Sequence, residues 1–145
     1  MPRPTITPGT PDDVEAAFYD ALQHADIDRL MACWGDEDDI VCVHPGSARL
    51  VGHAAIRAAF EALFAGGSIQ ARPEHVRRVE AGHCSVHSVV ERIALMGAEG
   101  PASAWVLATN VYAKTVHGWR LVLHHASPGS RDEPVDTTGL PTLLH

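Results

Sequence analysis

The stretch that most restricts the fold is residues 104–127, AWVLATNVYAKTV followed by HG and then WRLVLHHAS. Its apolar side chains recur with the two-residue period of a β-strand. Trp105, Leu107, Thr109 and Val111 share one face, and Val106, Ala108, Asn110 and Tyr112 share the other. Gly118 stands where the chain must reverse, because glycine alone takes positive φ without a steric penalty. The return strand places Trp119, Leu121, Leu123 and His125 on one face and Arg120, Val122, His124 and Ala126 on the other. Both faces of the outgoing strand are largely apolar, so both need cover. The chain's own helices can supply one layer and a second subunit the other.

The preceding residues read as that cover. Thr10 is a candidate helix cap, Pro11 suits a first helical position, and Asp12 and Asp13 complement the positive end of the helix dipole. Val14, Ala17, Phe18, Ala21, Leu22 and Ala25 then give one apolar stripe over 11–25. Asp26 can cap a second, short helix bearing Ile27, Leu30, Met31 and Trp34, which the acidic run 36–39 ends as an exposed turn. Ile40 to His44 reads as a short strand stopped by Pro45-Gly46, and Arg49-Leu50-Val51 as another. A third helix near 53–65 carries Ile56, Ala59, Phe60, Leu63 and Phe64 on one side. After it the period changes to two, with antiparallel strands near 69–79, 83–95, 103–115 and 119–127. Three helices on one face of such a sheet make an α+β domain over 11–128, between a loose segment 1–10 and a flexible tail 129–145 whose Leu140, Leu143 and Leu144 can dock.

At 145 residues the chain suits one domain with a real core. The net charge of −7, with no basic cluster beyond Arg77-Arg78, argues against nucleic acid as a partner. No apolar run approaches the ~20 residues of a membrane span, and the first residues lack the apolar core of a secretion signal. A cytoplasmic location is the expectation. Cys33, Cys42 and Cys84 are odd in number and widely spaced, which suggests buried free thiols rather than disulfides or a zinc site.

The order of elements, with the words DALQHADIDRLMACW, DDIVCVHPG, LVGHAAIRAAFEALF and ATNVYAKTVHGWRLVLHHAS, resembles the nuclear transport factor 2-like superfamily. Within it the chain is most similar to SnoaL-like domains, and also resembles the association domain of calcium/calmodulin-dependent protein kinase II. The likeness covers roughly 11–128. It implies a cone-shaped, cystatin-like fold, with three helices packed on a strongly curved antiparallel sheet. It also implies a homodimer paired through the sheet face and a small, mostly apolar molecule held in the cone. Members of this superfamily include isomerases, dehydratases and hydrolases, and others that only bind or oligomerise, so the fold leaves the reaction open. A more distant resemblance to ketosteroid isomerase sets that enzyme's catalytic Asp, which precedes a Pro, on His44. Its tyrosine falls on Phe18 and its protonated Asp on Asn110. The two acidic donors that hold a dienolate oxygen are therefore not present as such, which argues against that reaction.

His44 is the candidate general base, since an imidazole titrates near ~6.5. The plainer alternative is a ring that hydrogen-bonds backbone beside the Pro45-Gly46 turn. Asn110 and Tyr112 share the face that the resemblance turns into the cone, where an amide and a phenol can orient a ligand oxygen or complete a buried network. With His44 they form the candidate catalytic set. The expected pocket lining is Phe18, Trp34, His44, Phe60, Asn110, Tyr112, Leu123 and His125, with His124 facing outward unless the register slips by one. His44, His125 and Glu91 could converge as a three-ligand metal site with an open position. No pair has a local metal-motif spacing, so neither a metal nor a cofactor is expected. Glu91, between Val90 and Arg92, reads as an ion-pair partner.

Overall fold

The computed structural model describes residues 9–139. Residues 1–8, expected to be loose, and Leu140, Leu143 and Leu144, expected to dock, lie outside them. The elements are α1 (Pro11–His24), α2 (Ile27–Ala32), β1 (Val41–Val43), β2 (Arg49–Val51), α3 (His53–Phe64), β3 (Ala71–Ala81), β4 (Cys84–Gly97), β5 (Gly100–Thr115) and β6 (Gly118–Pro128). The helix starts follow local chemistry. Thr10 Oγ1 accepts the Asp13 amide and Asp13 returns a carboxylate to the Thr10 amide, while Asp26 caps α2 through the Arg29 amide. Ala25, left-handed at φ 50, closes α1 so that its amide and that of Asp26 reach back to the last turn.

The six strands form one sheet in the order β2-β1-β6-β5-β4-β3. Strands β3 to β6 run antiparallel to their neighbours, as do β1 and β2, whereas β1 lies parallel to β6. The helices cover one face. Val14, Phe18 and Leu22 of α1, Leu30 and Met31 of α2, and Ile56 and Phe60 of α3 bury there against Val89, Tyr112 and Leu121. Phe18 sits at the centre, edge-on to Tyr19, Trp34 and Phe60.

Two irregularities bend the sheet. Val111 pairs with Leu123 while Tyr112 pairs with Leu121, so Val122 is an extra residue in β6. A similar break falls between Glu74 and Arg77 in β3, where His75 takes a φ of 50. The Val122 bulge corrects the expected alternation of β6: Leu121 faces the helices, but so do His124 and Ala126, while Leu123 and His125 turn to the other side.

On that outer side one apolar row crosses the whole sheet. Paired positions run Val51, Val41, Leu123, Val111, Val86, Val79 from edge to edge. The described part of the tail meets β3 through His75–Glu133 (3.0 Å) and Arg77–Asp136 (2.8 Å). The acidic run 36–39 is exposed, as expected of a turn. Cys33 and Cys42 are buried free thiols, pushed up to about 12 by burial, and Cys84 is free and half-buried. Among the described residues no helix is long and apolar enough to cross a membrane.

Candidate functional site

Between the helices and the concave face of the sheet lies a cavity of ≈ 420 Å³. Phe18, Phe60, Leu63, Ile69 and Ile93 make its walls apolar, and its polar groups are His44, Ser47, Glu91 and His124. Of the residues expected to line it, Phe18, His44 and Phe60 do so.

The others lie elsewhere. Trp34 is fully buried behind Phe18, with its backbone bridged to Leu121. Leu123 and His125 are on the outer face because of the Val122 bulge, and His124 takes the inward place assigned to His125. The trio His44, His125 and Glu91 therefore does not converge. Asn110 is fully buried outside the lining and reaches the cavity through its hydrogen bond to His124. Tyr112, two residues further along β5, is farther down the cone, where its hydroxyl donates to Glu15 Oε2 (3.1 Å) beside His87 (2.8 Å from the same oxygen). The three residues of the catalytic set are thus split between two polar clusters.

The cluster at the cavity contains two groups the sequence reading did not assign to it, Tyr19 and His124, and gives a third, Glu91, a different partner. Among the described residues Glu91 meets no Lys or Arg, and the imidazole nearest it, His124 with Nε2 4.0 Å from Oε2, is held neutral by burial. Glu91 Oε2 accepts the Tyr19 hydroxyl at 2.7 Å, and Arg92, next in sequence, points to the other side toward Ser103 and Glu74. Tyr19 in turn accepts from Asn110 Nδ2 (3.0 Å), and Asn110 Oδ1 meets His124 Nδ1 (2.5 Å). The amide fixes the direction of this chain. An amide oxygen only accepts and its nitrogen only donates, so His124 carries its proton on Nδ1, and every bond points toward Glu91 Oε2. Glu91 Oε1 has no hydrogen-bond partner among the described residues, and Glu91 lines the cavity. The phenol of the first helix that reaches Asn110 is Tyr19, not a residue at the position of Phe18.

Burial sets the charge states. It pushes the Glu91 carboxyl up to about 7, with the Glu15 carboxylate adding to the rise and the Tyr19 hydrogen bond opposing it. The same desolvation brings His124 down to about 3, assisted by His44 and His125. Tyr19 is raised well above the usual phenol range by burial and by Glu91. His44 sits at the mouth, half-buried, with its ring edge-on to Phe60 (4.9 Å) and Nε2 3.8 Å from Cys42 Sγ; burial lowers its pKa. At pH 7 the cavity therefore has two neutral imidazoles and one carboxyl close to its midpoint.

The SnoaL-like domain model matches residues 12–130. The chain belongs to the SnoaL-like domain family. A solved Thiobacillus denitrificans protein, provisionally named a calcium/calmodulin-dependent protein kinase type II association domain, is 35% identical, over 88% of this chain and 99% of that one, with a TM-score of 0.77. A Streptomyces avermitilis protein of the nuclear transport factor 2-like family, provisionally named a dehydratase, is 28% identical over 79% of this chain and 91% of its own, with a TM-score of 0.70. The S. rosetta kinase II hub shares the fold at 17% identity, over 85% of this SnoaL-like chain and 100% of the hub, with a TM-score of 0.66. No curated protein matches the chain.

Proposed function

We propose that this SnoaL-like domain binds a small, mostly apolar molecule in its cone, with one polar atom of that molecule directed at Glu91. The observation that carries the reading is a carboxyl oxygen without a partner facing an apolar cavity of ≈ 420 Å³, a size that suits a compact ligand. An unligated carboxyl in such a wall costs desolvation energy, which a ligand's polar atom offsets. The test is ligand-observed NMR with neutral probes of six to ten carbons, such as indole and cyclohexanol. Wild type should bind them, and Ala126→Leu, which fills the cavity from β6, should lose at least about tenfold in affinity while keeping its melting temperature within a few degrees. Equal binding by both proteins would place the probes outside the cone.

A second reading is favoured by the charge states. His44 and Glu91 face one cavity, the first neutral and the second near its midpoint at pH 7, as proton transfer without a cofactor requires. In it His44 takes a proton from carbon beside a carbonyl, with Glu91 as the complementary acid. Deuterium uptake by cyclohexanone in D₂O reads this directly. Catalysed exchange that His44→Ala slows at least about tenfold supports an enzyme, and exchange at the buffer rate leaves binding alone.

The same reading pairs the chain with a second copy through the outer face of the sheet. Support comes from the apolar row across all six strands and from the likeness to a protein provisionally named as an association domain.

A further inference from the structure

The cavity has a charge character as well as a shape. None of its fourteen lining residues is Lys or Arg. Glu91 is its one acidic group, and the four elements packed around Glu91 bring it Tyr19 from α1, Asn110 from β5, His124 from β6, and from β1 and its end the buried Cys42 thiol and His44. None of these is a cation at neutral pH, since burial holds both imidazoles in the neutral form. Glu15, the next carboxylate along α1, adds negative potential from below. The one hydrogen bond to Glu91 Oε2 is donated by Tyr19, at the end of a chain that starts on His124 Nδ1, and a donated bond supports a carboxylate; His124 Nε2 lies 4.0 Å from the same oxygen, outside hydrogen-bond distance. Oε1 then remains as an acceptor without a hydrogen bond among the described residues, in a cavity that Phe18 and Phe60 also line.

From this geometry we infer that the molecule held in the cone is a small apolar amine, bound as its ammonium ion, with the N–H group on Glu91 Oε1 and the hydrocarbon against the aromatic wall. The inference rests on the reading of the cavity as a ligand site and narrows it to one chemical class. A carboxylate or phosphate ligand would face Glu91 with no counter-charge. An alcohol or ketone would leave the carboxylate unneutralised. An ammonium supplies a charge-assisted hydrogen bond to a carboxyl that is itself buried, and aromatic rings in the lining attract it further. Because Glu91 takes up a proton near neutrality, the amine must displace that proton, so its binding should strengthen as pH rises through 7 until the amine itself begins to lose its charge. A neutral ligand that accepts a hydrogen bond from the protonated carboxyl would follow the opposite trend.

Three probes with one ring and three head groups decide it: benzylamine, benzyl alcohol and benzoate, titrated into the full chain and followed by protein NMR at pH 5.5 and pH 8. Benzylamine should bind about tenfold or more tightly than benzyl alcohol at pH 8 and benzoate most weakly. The amine should lose roughly thirtyfold on going to pH 5.5. Glu91→Gln keeps an acceptor for Tyr19 and should abolish both the preference and the pH dependence. Alcohol or benzoate binding more tightly than the amine at pH 8 overturns the inference, as does amine binding indifferent to Glu91→Gln or to pH. If the alcohol binds as tightly as the amine at pH 8 and Ala126→Leu removes both, the amine class falls while the cavity reading stands. If none of these probes, and neither indole nor cyclohexanol, binds, both fall.

Discussion

A carboxyl carried from water to the floor of the cavity holds its proton more tightly than it does in the unfolded chain, and a buried imidazole holds its proton less tightly. Glu91 and His124 therefore pull the pH dependence of stability in opposite directions. For Glu91 the folded value is about 7 against 4.5 unfolded, so between these the native state binds more protons, and this group's contribution to stability falls as pH rises. For His124 the folded value is about 3 against 6.5, so its contribution is lost as pH falls from 6.5 toward 3. From about 4.5 to 6.5 the two slopes offset each other. Glu91→Gln removes one of them. Denaturant titrations across pH 4.5 to 7 should show the stability of wild type relative to Glu91→Gln declining with rising pH, by on the order of 3 kcal/mol over the window. A constant difference would mean that the carboxyl is solvated and that the cavity floor is wet.

At the scale of elements, what was legible in the sequence was what short-range chemistry decides. Thr10, Pro11 and Asp13 start α1 by bonding to their own neighbours, Asp26 starts α2 in the same way, and Gly118 makes the β5–β6 turn at φ 97. The observed strands differ from the expected ones by two residues or fewer at most ends, β4 and β5 running further into their shared hairpin. The bulge at Val122 was not legible. In Leu121-Val122-Leu123-His124-His125 either register places apolar and imidazole groups on both faces, so the local pattern carries no preference. The choice comes from bending the sheet around Phe18 and from pairing β6 with β1 as well as β5. One bulge then exchanged His124 for His125 and moved Leu123 out of the lining.

The polar cluster was half legible for a related reason. Asn110 was placed inward by the resemblance, and the clean alternation of β5 let that placement carry over without a shift in register. Glu91 shares parity with Val89 and Ile93 and so points inward, a signal outweighed by the habit of pairing a charged strand residue with its neighbour. Tyr19 follows Phe18 and flanks the apolar stripe, with Glu15 one turn before it; the pair reads as the polar border of a helix until the sheet supplies Asn110 and Glu91 as partners.

For the whole molecule, the two faces of the sheet can be altered independently, because successive side chains of a strand point to opposite sides. Asn110 is buried on the helix side, and Val111, its neighbour, lies at the middle of the outer row, opposite Val86 on β4 and Leu123 on β6. Val79 and Val51, at the two ends of that row, are 68% and 51% exposed, so in a single chain the row meets water at both edges. A second copy related by a two-fold axis would lay the same row against itself and remove it from solvent. Val111→Glu tests this without touching the ligand site. Each pair would bring two carboxylates into an apolar contact, at a cost of roughly 2–5 kcal/mol, which is enough to raise a dissociation constant by about thirtyfold or more. Light scattering should give twice the mass of one chain for wild type and one chain's mass for Val111→Glu at the same micromolar concentration. Circular dichroism and probe binding in the cone should be unchanged. A variant that remains paired would move the interface elsewhere, and one that loses its probe along with its partner would mean that the two faces are coupled through the bend at Val122.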